Sequence, residues 1–304
     1  MTEQSSFNTP ILFLIFNRPD TTQEVFNAIK KQRPKYLYVA ADGARETKEG
    51  EKEICLKTRN IINQIDWDCE LKTLFRDKNL GCGKAISSAI TWFFENVEEG
   101  IILEDDCLPH LDFFYYCEEL LEKYRNEPTI KIIGGANFQD GIKRGDASYY
   151  FSAYSHIWGW ATWKRTWNEY SFTLEEYSKS DFKKTLKTYF PKWTERQVWM
   201  DKFLLMKKQA IDTWDYQLSF SIWENNGICI VPNVNLISNI GFGEDATHTT
   251  GNHQISCLPF EKILPLTHPK QLCINREADE FYYKKYNYKS PLKIFYRTIR
   301  RLFV

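Results

Sequence analysis

Three acidic residues stand in a row at Glu104-Asp105-Asp106, directly after the apolar run 101–103. Adjacent carboxylates repel one another, so an acidic triplet at the end of a buried strand calls for a counter-charge. A hard divalent cation, Mn²⁺ or Mg²⁺, held by one or two carboxylates with diphosphate oxygens completing its shell, meets that demand. Such an ion would act as a Lewis acid on a departing nucleoside diphosphate. Asp106 is the expected direct ligand, with Glu104 and Asp105 directed to ribose, sugar or the support of the site. The competing reading is a solvated acidic loop, or a first helical turn in which the dipole favours Asp.

Other candidates follow other apolar runs. Asn17-Arg18-Pro19 ends the run 11–16, and Asp42-Gly43 ends 36–41. Arg18 can meet phosphate or base and Asp42 can accept hydrogen bonds from base or ribose, although both segments also read as turn chemistry. Arg76 and the segment Asn79-Leu-Gly-Cys-Gly-Lys84 have the composition of a phosphate-handling loop entering a helix, without the spacing of a Walker A or GxGxxG motif. Trp214-Asp215 opens an aromatic stretch that reads as a helix. An Asp flanked by rings can have its proton affinity tuned by burial and take a proton from an acceptor hydroxyl, or it can be a helix cap. His248 sits in a Gly-rich run, 241–251, that reads as a flap able to close over substrate, or as a structural histidine.

These residues need a scaffold, and the hydrophobic pattern describes one. The apolar run at 11–16 reads as a strand buried on both faces, and 36–41, 71–75, 101–103 and 130–133 read as further strands. Helical patterns lie between them: one capped by Thr21 or Thr22 and burying Val25, Phe26 and Ile29, then 48–65, 84–96 and 111–125. Alternating strands and helices over the first ~135 residues predict an open, mostly parallel α/β sheet with helices on both faces. In such sheets ligands bind outside the carboxyl ends of the strands, where Asn17-Arg18, Asp42, Arg76 and the acidic triplet fall. The expected organisation is a nucleotide-sugar half at 1–135, then a fused, irregular acceptor-side and catalytic half at 136–280. A basic amphipathic tail follows at 281–304.

The 304 residues are enough for a large core. The 40 basic and 40 acidic side chains cancel, which speaks against a nucleic-acid partner. Aromatic residues make up 16% with ten Trp; they fill a bulky core or pack on sugar rings. The eight Cys form no CxxC pair or zinc-ligand spacing. With no signal-like segment at the start, the expected location is cytoplasmic. The tail residues 284–304 offer a possible peripheral contact with an anionic membrane.

Taken together, these residues resemble the GT-A (Rossmann-like, nucleotide-diphospho-sugar transferase) glycosyltransferases. More closely, they are similar to the inverting branch that includes N-acetylglucosaminyltransferase I and the protein O-mannose N-acetylglucosaminyltransferases. Glu104-Asp105-Asp106 resembles that branch's form of the DxD motif. Asn137-Phe-Gln-Asp-Gly141, His156-Ile-Trp-Gly-Trp160, Trp214-Asp215 and Gly241 to Gly251 resemble its later segments in the same order. The resemblance implies Asp106 as metal ligand, with His248 in the metal site or in a flap over bound donor. The resemblance implies Asp42 as a nucleotide contact, beside which Asn17, Arg18, Arg76, Asn79, Glu104 and Asp105 are read as the other residues on the nucleotide sugar, a UDP-sugar by preference. It places Asn137, Trp160 and Trp214 against substrate and makes Asp215 the general base of an in-line, inverting transfer to a saccharide or lipid-linked saccharide. The chain is shorter than those enzymes, is not expected to carry their N-terminal anchor and differs throughout its second half, so acceptor and donor sugar do not carry over. The alternatives are a sugar-1-phosphate nucleotidyltransferase, or a non-catalytic protein that binds nucleotide sugars or carbohydrate.

Overall fold

A computed structural model describes residues 7–241 and 258–291 of the chain. The first apolar run forms β1 (Ile11–Ile15), buried at every position. It leads within three residues into α1 (Pro19–Gln32). Then come β2 (Tyr36–Ala41), α2 (Glu51–Arg59), a short 3₁₀ turn (Asn60–Gln64) and β3 (Glu70–Phe75). After α3 (Cys82–Asn96), strand β4 (Glu99–Glu104) delivers the acidic triplet. β5 (Cys107–Pro109), α4 (Leu111–Lys123) and β6 (Ile130–Gly134) complete the first half.

The second half, irregular in its sequence pattern, carries short elements. These are β7 (Tyr149–Ser152), β8 (Trp160–Trp163), α5 (Lys164–Trp167), α6 (Lys179–Tyr189) and α7 (Trp193–Lys207). They continue with α8 (Asp215–Glu224), β9 (Ile228–Pro232), β10 (Ile237–Asn239) and α9 (Arg276–Tyr282).

Eight strands form one sheet in the order β3-β2-β1-β4-β8-β6-β9-β7. β1 pairs in parallel with β2 and β4, and β2 with β3. The ends of those four strands therefore emerge along one edge, with Ile15 opposite Ala41, Ala41 opposite Phe75 and Leu14 opposite Glu104. β8 is antiparallel to both β4 and β6, so a strand from the second half is sewn into the middle of the sheet. This is the expected open, mostly parallel α/β architecture.

Helices cover both faces because successive residues of the central strands, which point to opposite faces, are apolar. Ile11, Phe13 and Ile15 of β1 pack with Phe26 of α1 and Phe114 of α4 on one face. Leu12 and Leu14 pack with Phe93 of α3, Phe203 of α7 and Phe220 of α8 on the other. Two local expectations are corrected. The helix at 48–65 stops at Arg59 and tightens into the 3₁₀ turn. Neither Thr21 nor Thr22 caps α1, which begins at Pro19 with no side-chain cap; the fixed φ of proline and its missing N–H suit that first position.

Candidate functional site

β4 ends at Glu104, and the next two residues turn their carboxylates toward the start of α1. Asp105 Oδ2 accepts the backbone N–H of Phe16 at 3.1 Å. Arg18 Nη1 donates to Asp106 Oδ2 at 2.8 Å and lies 3.8 Å from Asp105 Oδ1. Arg18 was expected on phosphate or base; here its guanidinium is the positive charge beside the triplet. Gly241 packs against the Asp106 carboxylate so closely that a Cβ would overlap it. Burial, together with the neighbouring Asp106 charge, pushes the Glu104 and Asp105 carboxyls above the usual carboxylate range.

Crowded acids of this kind suit a cation. Among the described residues no cluster of three or more His, Cys, Asp or Glu side chains forms a ready metal cage. The donor set fits instead the shared kind of site, in which one or two carboxylates hold Mg²⁺ or Mn²⁺ and substrate oxygens supply the rest.

The next carboxylates along the edge serve the backbone. Asp42, 8% exposed, accepts the N–H of Leu80 at 2.9 Å and of Gly81 at 3.2 Å. Asp212 accepts the N–H groups of Cys82 and Gly83, each at 2.8 Å, at the start of α3. The run of N–H groups from Leu80 to Gly83 is thus taken up by two side chains of the protein. That corrects the reading of 79–84 as a loop open to phosphate, since in this structure its donors face carboxylates. Asn79 Nδ2 donates to the Gly43 carbonyl at 2.7 Å and Arg76 Nη2 to Ser88 Oγ at 2.8 Å. Asn17 Nδ2 donates to Glu51 Oε1 at 2.9 Å, the same carboxylate that pairs with Arg45. Of these edge residues, the structure brings Arg18 onto the triplet and gathers Asp42, Arg76 and Asn79 around the 79–83 loop.

Asp215 is the first residue of α8, and its Oδ1 accepts the Thr213 hydroxyl at 2.5 Å. Trp214, 3% exposed, stacks on the fully buried Trp160 of β8 with centroids 5.8 Å apart and planes 22° from parallel. Because Trp160 pairs with Ile102 of β4, that stack ties the start of α8 to the strand bearing the triplet. The negative charge of Asp215 is among those that raise Glu104; desolvation first, then the charges of Glu104, Asp212 and Asp215, push the half-buried Cys82 thiol up to about 12. Asp215 faces a pocket of about 90 Å³ shared with Lys202, Trp199, Tyr216 and Tyr282.

The expected substrate residues are enclosed. Asn137 donates to the Pro232 carbonyl at 2.6 Å and accepts the Gln139 N–H at 2.9 Å, so both ends of its amide are used internally. Trp160 and Trp214 lie in the core and support Asp215 instead of presenting a face to sugar. His248 and most of the 241–251 run lie outside the described residues, as do residues 292–304 of the tail. At the tail's start Lys284 pairs with Glu280 at 2.7 Å and Lys285 pairs with Asp140. Among the described residues no helix is long and apolar enough to cross a membrane. Lys202, Asp212 and Tyr282 escaped the sequence reading. Asp212 stands three residues before Asp215 and could have been suspected; Lys202 is one lysine among many and gave no signal.

No known protein family matches the chain, and no curated protein matches it significantly. Solved structures do share parts of its layout. One is 4-diphosphocytidyl-2C-methyl-D-erythritol synthase from Anaerococcus prevotii, at 8% identity and TM-score 0.32, covering 53% of this chain and 74% of that one. A cytidylyltransferase from Leptospira borgpetersenii matches at 12% identity and TM-score 0.34, covering 53% and 62%. An apo UDP-glucose pyrophosphorylase matches at 10% identity and TM-score 0.35, covering 75% and 93%. The likeness is one of fold alone. The chemistry has to be read from the site.

Proposed function

We propose that the protein is a glycosyltransferase that moves a sugar from a nucleoside-diphosphate donor to an acceptor hydroxyl with inversion, using Asp215 as general base. One observation carries this reading. Asp215 opens into a pocket while standing within electrostatic reach of the Glu104-Asp105-Asp106 triplet at the carboxyl edge of the sheet. A base that opens into a pocket near an acidic cluster able to serve the diphosphate is an arrangement that a direct displacement can use.

In this reading residues 1–135 hold the donor, and 136–280 supply the base and the acceptor side. Asp106, with Asp105 or Glu104, would hold Mn²⁺ or Mg²⁺. Bound there, the ion offsets charge on the leaving diphosphate. Arg18, already on Asp106, is placed to turn its guanidinium toward the same phosphates. Asp42 and the 79–83 loop build the wall beside the nucleotide, and Asp215 takes the proton of the attacking hydroxyl. A UDP-sugar is the preferred donor on the resemblance in sequence motifs.

Nucleotidyl transfer onto a sugar 1-phosphate is the competing reading. Such enzymes want a glycine-rich loop after the first strand to wrap a triphosphate. Here only Phe16, Asn17 and Arg18 separate β1 from α1, with no glycine among them. The test offers the full chain a panel of nucleotide sugars with Mn²⁺, and separately nucleoside triphosphates with sugar phosphates. Release of nucleoside diphosphate from a nucleotide sugar supports transfer. Release of pyrophosphate from a triphosphate, with no diphosphate release, favours the rival.

A further inference from the structure

We infer that the pocket beneath Asp215 recognises an acceptor sugar carrying an anionic group, a carboxylate or a phosphate, and that Lys202 is the residue that selects it. This rests on the reading of Asp215 as the base at the acceptor side.

Lys202 projects from α7 into the same pocket as Asp215. Its ammonium lies 4.0 Å from the Trp199 ring centroid and 4.5 Å from that of Tyr216, between two aromatic faces. Cation–π contact holds such a group in place without neutralising it. Among the described residues Lys202 makes no ion pair; its hydrogen bond is a long one, 3.4 Å, to Asn287 Oδ1. Burial lowers the pKa of the ammonium to about 8, against the attraction of Asp215, and the charge of Lys289 pushes the same way. A second positive charge thus acts on a lysine that has an aromatic cage and an open cavity but no carboxylate at contact distance.

A desolvated ammonium in a cavity favours an anionic occupant, because charge-assisted hydrogen bonds are short and roughly twice as strong as neutral ones. The cavity, about 90 Å³, has room for the substituted edge of one ring rather than an oligosaccharide. Tyr282 and Tyr216 supply flat faces against which that edge can pack. A hydroxyl on the ring can then meet Asp215 while the anion meets Lys202. The two groups read opposite ends of one substituent pattern, so a neutral sugar satisfies Asp215 and leaves the lysine unanswered.

The test is equilibrium binding to the full chain by ligand-observed NMR, using methyl glucuronoside, glucose 6-phosphate and methyl glucoside as probes. The first two separate a carboxylate source from a phosphate source. At least one charged probe is expected to bind roughly tenfold more tightly than the neutral one. Lys202→Met should remove that preference, Lys202→Arg should keep most of it, and Asp215→Asn should leave it in place. Near-native thermal unfolding of each variant excludes misfolding as the cause. Equal or undetectable binding of the charged probes, or a preference that survives Lys202→Met, overturns the inference. Because these are binding measurements, they stand apart from the test of Asp215: an unimpaired Asp215→Asn transferase would sink the base reading alone.

Discussion

Asp212 Oδ1 accepts the Gly83 N–H at 2.8 Å, while its other oxygen takes the N–H of Cys82 at the same distance. Through this contact the segment carrying Asp215 is fastened to the first turn of α3. A Cβ on Gly83 would stand 2.8 Å from Asp212 Oδ1 and from the Thr213 carbonyl, and one on Gly81 would stand 2.5 Å from Asp212 Oδ2. The two glycines admit a carboxylate.

Replacing Asp212 with Ala leaves two helix-start donors without this partner and should cost about 1–3 kcal/mol. Because Asp215 follows by three residues, turnover should fall while donor affinity holds. Denaturant unfolding and initial rates check both parts. Full turnover in a destabilised variant would reduce Asp212 to a brace.

Arg18 competes with any cation for Asp106. Removing its guanidinium, as in Arg18→Gln, should strengthen Mn²⁺ binding to the free protein roughly fivefold, equivalent to ~1 kcal/mol for a partly buried pair. Nucleoside diphosphate binding in the presence of Mn²⁺ should weaken in the same variant. Calorimetric titration of both ligands measures the pair of effects, and a variant that loses affinity for both would contradict the competition.

Stability should depend on pH through Glu195. Its carboxyl is buried, receives the Tyr154 hydroxyl, and is pushed up by burial from the ordinary 4.5 to about 7. A carboxyl raised in the folded state binds protons more tightly there than in the unfolded chain, so its contribution favours the fold below pH 4.5 and is lost as pH rises toward 7. Asp279, raised by burial to about 6, acts in the same direction. The melting temperature of Glu195→Gln should therefore decline less than that of the wild type between pH 5 and 7. Parallel declines would remove Glu195 from the balance.

Much of this architecture was legible from apolar runs. β1, β2, β4 and β6 are each buried over nearly all of their length, and a strand enclosed on both faces leaves a continuous hydrophobic signature. The acidic triplet was legible for the same reason, since it ends such a run. β8 was not: Trp160-Ala-Thr-Trp163 is only four residues long, and its insertion between β4 and β6 is a long-range pairing that no local period encodes. The conflict over 79–84 is of the same kind. Gly and Asn there signal exposed backbone donors, but which acid answers them, a phosphate or Asp42 and Asp212, depends on residues about 40 and 130 positions away. Trp160 and Trp214 misled for a different reason, because a tryptophan serves equally well as sugar platform and as core.

Asp215 is the residue on which the proposed transfer depends. The direct measurement compares wild type with Asp215→Asn for nucleoside diphosphate release from the best nucleotide sugar with Mn²⁺, alongside donor affinity by calorimetry. Loss of a general base predicts a fall in turnover of roughly 10²–10⁴-fold with donor affinity unchanged. Unimpaired turnover in Asp215→Asn would contradict the account.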